Sequence, residues 1–194
     1  MEELKKAVEE AMKMSEDELK TNLPPLMDQL KGNVGKLMEA VPDLIPKLMN
    51  KMNEIDIGKF VSEAPELSSK FMDVLWEGAS ILAEKNADIQ NKLKSAGEIG
   101  VNFEATDSPL KGHLKISGGK ISGGTDLLPK ADLTLRGPTK VLVGMFTGTV
   151  DPIKGFMAKQ YTMEGSMAIG MKLAPVMTSL TRVCLLYTSP SPRD

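Results

Sequence analysis

Covalent catalysis and acid–base chemistry need a nucleophile or a base held against an orienting partner, and this sequence of 194 residues offers few such groups. Its one histidine, His113, follows Gly112 at the start of an alternating run, with no nucleophile elbow or triad pattern around it, and reads as a surface or turn residue. Gly118-Gly119-Lys120-Ile121-Ser122 has the composition of a phosphate loop but neither its glycine spacing nor a following helix, so a β-hairpin is expected there. The carboxylates lie on helical faces where solvated charge is the rule, and Asp132, at the entry of a strand, suits a structural role. Between Met1 and Val183 there is no cysteine, which removes disulfides, thiolate catalysis and cysteine metal ligands. No catalytic residue, no metal ligand and no cofactor is therefore expected. The net charge of −2 provides no basic stripe for phosphates, which speaks against nucleic acid as a partner.

What the sequence offers instead is adaptable apolar surface. Hydrophobic residues make up 41% of it, with 14 methionines and only 4% aromatics. Unbranched thioether chains fill irregular gaps, so they suit a cavity wall as well as an ordinary core.

The elements that must position these side chains fall into two stretches. From Met1 to Val61 they are short helices broken by proline. Leu4, Val8, Ala11 and Met12 share one helical face. Ser15-Glu16-Asp17-Glu18 is a capping box that opens a helix through Leu19. Pro24-Pro25 is expected to interrupt it, with Thr21 or Asn22 capping a new helix through Leu26, Met27 and Leu30 that ends at Gly32. Val34, Leu37, Met38 and Val41 follow, and Pro42 and Pro46 bracket a further start towards Leu48, Met49, Met52 and Ile55. Helices this short do not persist alone in water. An accessory layer packed on the main domain is expected; the alternative is a transient contact with a membrane surface or a protein through an exposed Met and Leu stripe.

From Ser62 onward the pattern lengthens and then changes period. Ser62-Glu63-Ala64-Pro65-Glu66 starts a helix in which Leu67, Phe71, Val74, Leu75, Gly78 and Leu82 recur at helical spacing, with Trp76 pointing away towards a rim or an interdomain position. Asn86 caps a short helix that carries Ile89 and Leu93. Alternation then marks strands at Ile99 to Ala105, around Leu114 and Ile116, at Lys120 to Gly124, and at Leu133 and Leu135. Pro138 opens a helix through Phe146 that Gly148 closes, Asp151-Pro152 opens another with Ile153, Phe156 and Met157, and Tyr161 to Gly165 returns as a strand. The final helix, from Ser166, is apolar on two sides: Met167, Met171 and Ala174 on one, Ile169, Leu173, Val176 and Leu180 on the other. Such a helix lies between layers, or between a sheet and a ligand. Pro175 is expected to break or bend it. The fold class is α+β, a five-stranded, mostly antiparallel sheet with helices on one face, behind an all-helical N-terminal extension.

Within this frame, Lys130-Ala131-Asp132 opening a strand, Met145 and Gly148 before Asp151-Pro152, Phe156-Met157, Gly165, and Met167 with Met171-Lys172-Leu173 resemble the sterol carrier protein type two family, a small α/β lipid-binding fold. The resemblance is close from Lys130 to Leu173, extends back to about Glu66 and is absent before that. One departure is Lys159-Gln160-Tyr161, where the family usually has a glycine entering the strand. The resemblance implies a lipid cavity between the Ser166 helix, the helix of Phe156 and Met157, and the helix of Phe71 and Leu75. The side chains expected to bind lipid are Phe71, Leu75, Phe146, Phe156, Met157, Met163, Met167 and Met171.

The function implied is a non-enzymatic carrier of a hydrophobic lipid (fatty acyl, sterol or isoprenoid). The alternatives are an interaction or scaffold protein with a filled core, or an accessory domain of a lipid-metabolising enzyme. Burying an acyl chain at roughly 0.8 kcal/mol per methylene gives on the order of 12 kcal/mol for about sixteen carbons, against an association cost of ~4–15 kcal/mol. Binding tight enough to carry and loose enough to release is the outcome. No apolar run approaches the ~18–20 residues that span a bilayer, and a cytoplasmic location is expected. The charge balance is −5 from Met1 to Ala96 and +3 from Gly97 to Val183. Residues 1–61 are expected to form the extension and 62–183 the lipid-binding domain. Residues 184–194, from Cys184 to Asp194, match the translation of a transposase adapter used in sequencing libraries and are read as an artefactual tail.

Overall fold

In the computed structural model, which describes residues 2–41, 47, 50–52 and 54–186, the alternating runs form a five-stranded sheet. Its strands are β1 (Ile99–Ala105), β2 (Lys111–Ser117), β3 (Lys120–Gly124), β4 (Leu133–Gly137) and β5 (Thr162–Gly165), in the spatial order β3-β2-β1-β4-β5. β1 and β4 run parallel and the other three pairs antiparallel. The register sets Val101 beside Leu133 and Phe103 beside Leu135, and with Leu114, Ile116 and Ile121 these side chains bury one face. Gly118 and Gly119, at φ of 58° and 74°, turn the β2–β3 hairpin, as their sequence predicts.

The other face is crossed by the chain that returns from β3 to β4. His113 and Asp132, two of the side chains with a claim to chemistry, pin that crossing. The His113 Nδ1 lies 2.8 Å from the Asp126 carbonyl oxygen, and an Asp132 carboxylate oxygen accepts from the Gly100 N–H at 2.7 Å. Asn102 adds a reciprocal pair, its amide donating to the Leu128 carbonyl at 3.0 Å while its own oxygen accepts from the Leu128 N–H at 2.8 Å.

The apolar face carries α5 (Pro65–Lys85), α6 (Ala87–Ala96), α7 (Thr139–Thr147), α8 (Pro152–Met157) and α9 (Met167–Leu186). Asn86 caps α6 and Asp151 caps α8, as expected, accepting from the Ile89 N–H at 3.0 Å and the Lys154 N–H at 2.8 Å. The cap of α7 is not local: Asp107 accepts from both the N–H and the hydroxyl of Thr139, at 2.7 and 2.6 Å.

Before them come α1 (Glu2–Ala11), α2 (Glu16–Leu30), α3 (Val34–Ala40) and α4 (Ile57–Glu63). The Ser15–Glu18 capping box is present. These helices bury their apolar stripes, including Leu4, Val8, Leu19, Met27, Leu30 and Leu37, in a second core against α5. No outward Met and Leu stripe remains among the described residues of this layer.

Four expectations are corrected. The helix α2 runs through Pro24 and Pro25 without interruption, because Leu19 on one side and Leu26, Met27 and Leu30 on the other are anchored in one core that holds both halves in line. α9 likewise continues through Pro175, between buried Leu173 and Val176. Ser62 does not start α5: it belongs to the last turn of α4, with its hydroxyl donating to the Gly58 carbonyl, and α5 begins at Pro65 without a side-chain cap. Of the two positions expected for Trp76 the rim is excluded: the side chain is 5% exposed, packed against the sheet on the helix that the two layers share. The start bracketed by Pro42 and Pro46, with Leu48 and Met49, lies outside the described residues.

Candidate functional site

α5 serves two cores because it has two apolar stripes. Leu67, Val74 and Leu82 face the N-terminal layer, while Met72, Trp76 and Ala83 face the sheet. Trp76 stacks on Phe103 at 6.0 Å between centroids and meets Phe146 edge-on at 5.4 Å, and Phe103 and Phe146 close the triangle at 5.5 Å. The indole lies flat on β3 where Gly123 has no side chain; a Cβ there would come within 2.1 Å of the ring. The indole N–H is buried and has no acceptor among the described residues.

Around this aromatic cluster lie two apolar chambers. The larger, of about 170 Å³, is at the seam between the N-terminal layer and α5, α7 and α9; Phe71, Leu75, Ala79 and Leu180 are in its wall. The smaller, of about 80 Å³, lies between the sheet, α7, α8 and α9, walled by Leu135, Phe156, Met163 and Ala174 among others. Phe146 and Met177 line both.

The hydroxyls in the larger wall are turned to backbone. Ser68 donates to the Ala64 carbonyl at 3.1 Å and Thr181 to the Met145 carbonyl at 3.4 Å. Lys51 at its edge pairs with Glu54 at 3.4 Å. In the smaller wall the Tyr161 hydroxyl donates to the Pro152 carbonyl at 2.7 Å, and burial pushes its pKa upward. No cluster of three or more potential metal ligands occurs among the described residues. The walls can exclude water and take up apolar volume, and among the described residues they offer no catalytic proton-transfer pair.

Of the eight side chains expected at one site, the structure divides seven between two chambers. Phe71 and Leu75 line the larger, Phe156, Met163, Met167 and Met171 the smaller, and Phe146 both. Met157 lines neither and is 78% exposed. Met167 and Met171 are half in solvent, at 52% and 62%, so they stand at the mouth of the smaller chamber rather than in its depth. Trp76 and Met177 are lining residues that the sequence reading missed; the spacing Met72, Trp76, Ala79, Ala83 is a second helical stripe that marks Trp76 as interior.

A sheet with one face under helices and apolar chambers beneath it define an α+β fold. The chain belongs to the SCP-2 sterol transfer family, whose profile matches residues 79–178. No curated protein matches it. Similar solved structures include apo sterol carrier protein 2 from Yarrowia lipolytica, 14% identical over 59% of this chain and 91% of that one, with a TM-score of 0.45. The sterol carrier protein domain 2 of Helicoverpa armigera is 21% identical over 58% of this chain and 87% of that one, with a TM-score of 0.43. The inverting sec-alkylsulfatase Pisa1 from Pseudomonas sp. is 16% identical over 86% of this chain but only 30% of its own, with a TM-score of 0.43.

Proposed function

We propose that this chain is a non-enzymatic carrier of a hydrophobic lipid of the fatty acyl, sterol or isoprenoid class, working in the cytoplasm, with residues 62–183 as the carrier unit. The observation that carries this reading is the shared wall of Phe146 and Met177 between the two chambers. Size decides why it matters. An apolar cavity of about 150 Å³ holds a benzene-sized guest, so neither 80 nor 170 Å³ alone takes a long lipid. A lipid that displaces the Phe146 ring or the Met177 thioether gains both spaces at once, and methionine is the side chain best suited to such movement. Low selectivity among apolar ligands follows, since the wall has little polarity with which to read a head group. Any contact of the N-terminal helices with a membrane or a protein would use their polar outer faces, because their apolar stripes are buried.

Mass spectrometry of lipids that co-purify with the protein, together with uptake of a fluorescent fatty acid, tests the reading. Ala79→Phe fills the larger chamber and Met171→Gln makes the mouth of the smaller one polar. Both should reduce uptake strongly, and Met171→Gln should leave the melting temperature nearly unchanged because its side chain is largely solvated. If no lipid co-purifies and neither variant alters uptake, the chambers are packing voids and the scaffold reading replaces the carrier.

A further inference from the structure

Among the described residues, the large apolar side chains left exposed are Ile153, Met157, Met167 and Met171. They are not scattered. Ile153 and Met157 stand one turn apart on α8, Met167 and Met171 one turn apart on α9, and Ile153, Met167 and Met171 belong to the wall of the same small chamber. Among the described residues, the strongly exposed apolar bulk therefore gathers at one opening, three of the side chains in its wall and Met157 one turn from Ile153, the kind of grouping that marks an interaction surface.

The charge around this rim is mainly positive. Lys154 lies between Ile153 and Met157, Lys159 follows two residues after Met157, and Lys172 adjoins Met171; all three are exposed, and none has an ion-pair partner among the described residues. The nearby carboxylates are already engaged: Asp151 caps α8, and Glu164 pairs with the Arg136 guanidinium at 2.5 Å, whose pKa the Glu164 and Glu104 carboxylates raise. A surface that joins methionine and isoleucine tips to unpaired ammonium groups, on a protein of net charge −2, matches an anionic lipid bilayer. The apolar tips would enter the acyl boundary while the lysines meet the head groups.

We infer that the α8–α9 rim docks the protein on anionic membranes and sets the mouth of the smaller chamber against the bilayer. This goes beyond lipid carriage, and its test needs no cavity ligand, so it can fail while carriage stands. The full chain is centrifuged with vesicles of phosphatidylcholine alone, or with roughly a third phosphatidylglycerol. Binding is expected to the mixed vesicles only and to weaken as salt rises. Replacing Lys154, Lys159 and Lys172 together by Glu should weaken it at least tenfold, since each lysine near such a surface contributes about fivefold. Met157→Asp, which alters a side chain outside both chambers, should weaken it too, with the melting temperature unchanged. Lys111→Glu with Lys115→Glu, on the exposed positions of β2, should leave it intact. Equal binding by parent and rim variants, or equal loss in the β2 variant, overturns the inference. So does light scattering that shows a dimer of the parent broken by Met157→Asp, because the rim would then be a contact between two copies.

Discussion

The two cores on either side of α5 are built by opposite means. On the sheet side, strands of period two present a face of Leu, Ile, Val and Phe, fixed by register, on which the helices pack. On the N-terminal side, helices of 7 to 15 residues have no sheet to align them. Their Leu, Val and Met stripes converge on Leu67, Val74 and Leu82, and ion pairs such as Lys70–Asp28 at 2.7 Å and Lys31–Asp73 at 3.0 Å sit over the seam. Exposed pairs of this kind contribute little, so the seam is held by apolar burial. The difference is one of dependence. The sheet core contains its own organising element, whereas the N-terminal helices take their order from α5, and the larger chamber exists only where the two meet.

Removing the N-terminal layer is the strongest way to break this comparison. A chain from Ser62 to Val183 should keep a cooperative transition but take up lipid more weakly, because the larger chamber loses its N-terminal wall, and it should lose on the order of 5 kcal/mol, because Leu67, Val74 and Leu82 become solvated at roughly 1.5–3 kcal/mol each. Circular dichroism melting together with the uptake assay reads both quantities. An unfolded product would show that α5 cannot hold against the sheet alone, and the division at residue 62 would be wrong. Ending the chain at Val183 while keeping the N-terminal layer should leave melting unchanged if the remaining residues are adapter-derived.

A pair of glycines sharpens the same contrast. Gly123 belongs to the sheet core, and a Cβ there meets the rigid Trp76 ring at 2.1 Å. Gly123→Val should cost about 3 kcal/mol or more through overpacking, with loss of the near-ultraviolet signal of the tryptophan. Gly35, on α3, belongs to the N-terminal layer, and its Cβ would meet only the terminal methyl of Ile81 at 3.2 Å, a group able to move. Gly35→Ala should change stability between zero and a gain of about 1 kcal/mol, from helix propensity. A large loss there would mean that the N-terminal layer is packed as rigidly as the sheet.

The same contrast governs what could be read in the sequence. Strands, the hairpin glycines and the caps at Ser15, Asn86 and Asp151 were legible because each depends on neighbours a few residues away. The Asp107 cap on Thr139 was not, since it joins residues 32 apart. On α5 the stripe of Leu67, Val74 and Leu82 was visible, but its partner was not. Periodicity says that a helix has an apolar face and leaves open what covers it, and a helix shared by two cores has two. Trp76 was misplaced for that reason. The resemblance implies one cavity for the eight lipid-site positions, and the split at Phe146 and Met177 arises from packing that no local pattern records.

The smallest expected effect concerns Lys159, whose φ of 55° makes it the non-glycine residue in the left-handed region among those described. The turn around it has the hydrogen bonds of a glycine-type helix end. The Lys159 N–H donates to the Phe156 carbonyl at 3.0 Å and the Gln160 N–H to the Gly155 carbonyl at 2.9 Å. A side chain in this conformation costs roughly 1–2 kcal/mol. Glycine removes that cost but gives back part of it, about 0.4–1 kcal/mol, through the freer unfolded chain. Lys159→Gly should therefore stabilise the protein by about 0.5–1 kcal/mol, measured by urea unfolding at constant m-value, while weakening binding to anionic vesicles a few-fold through the lost charge. Opposite signs for stability and docking would identify Lys159 as a residue whose charge at the rim is kept at the expense of its backbone. A variant that is more stable and docks unchanged would leave the strained lysine without a role in docking and confine the charged rim to Lys154 and Lys172.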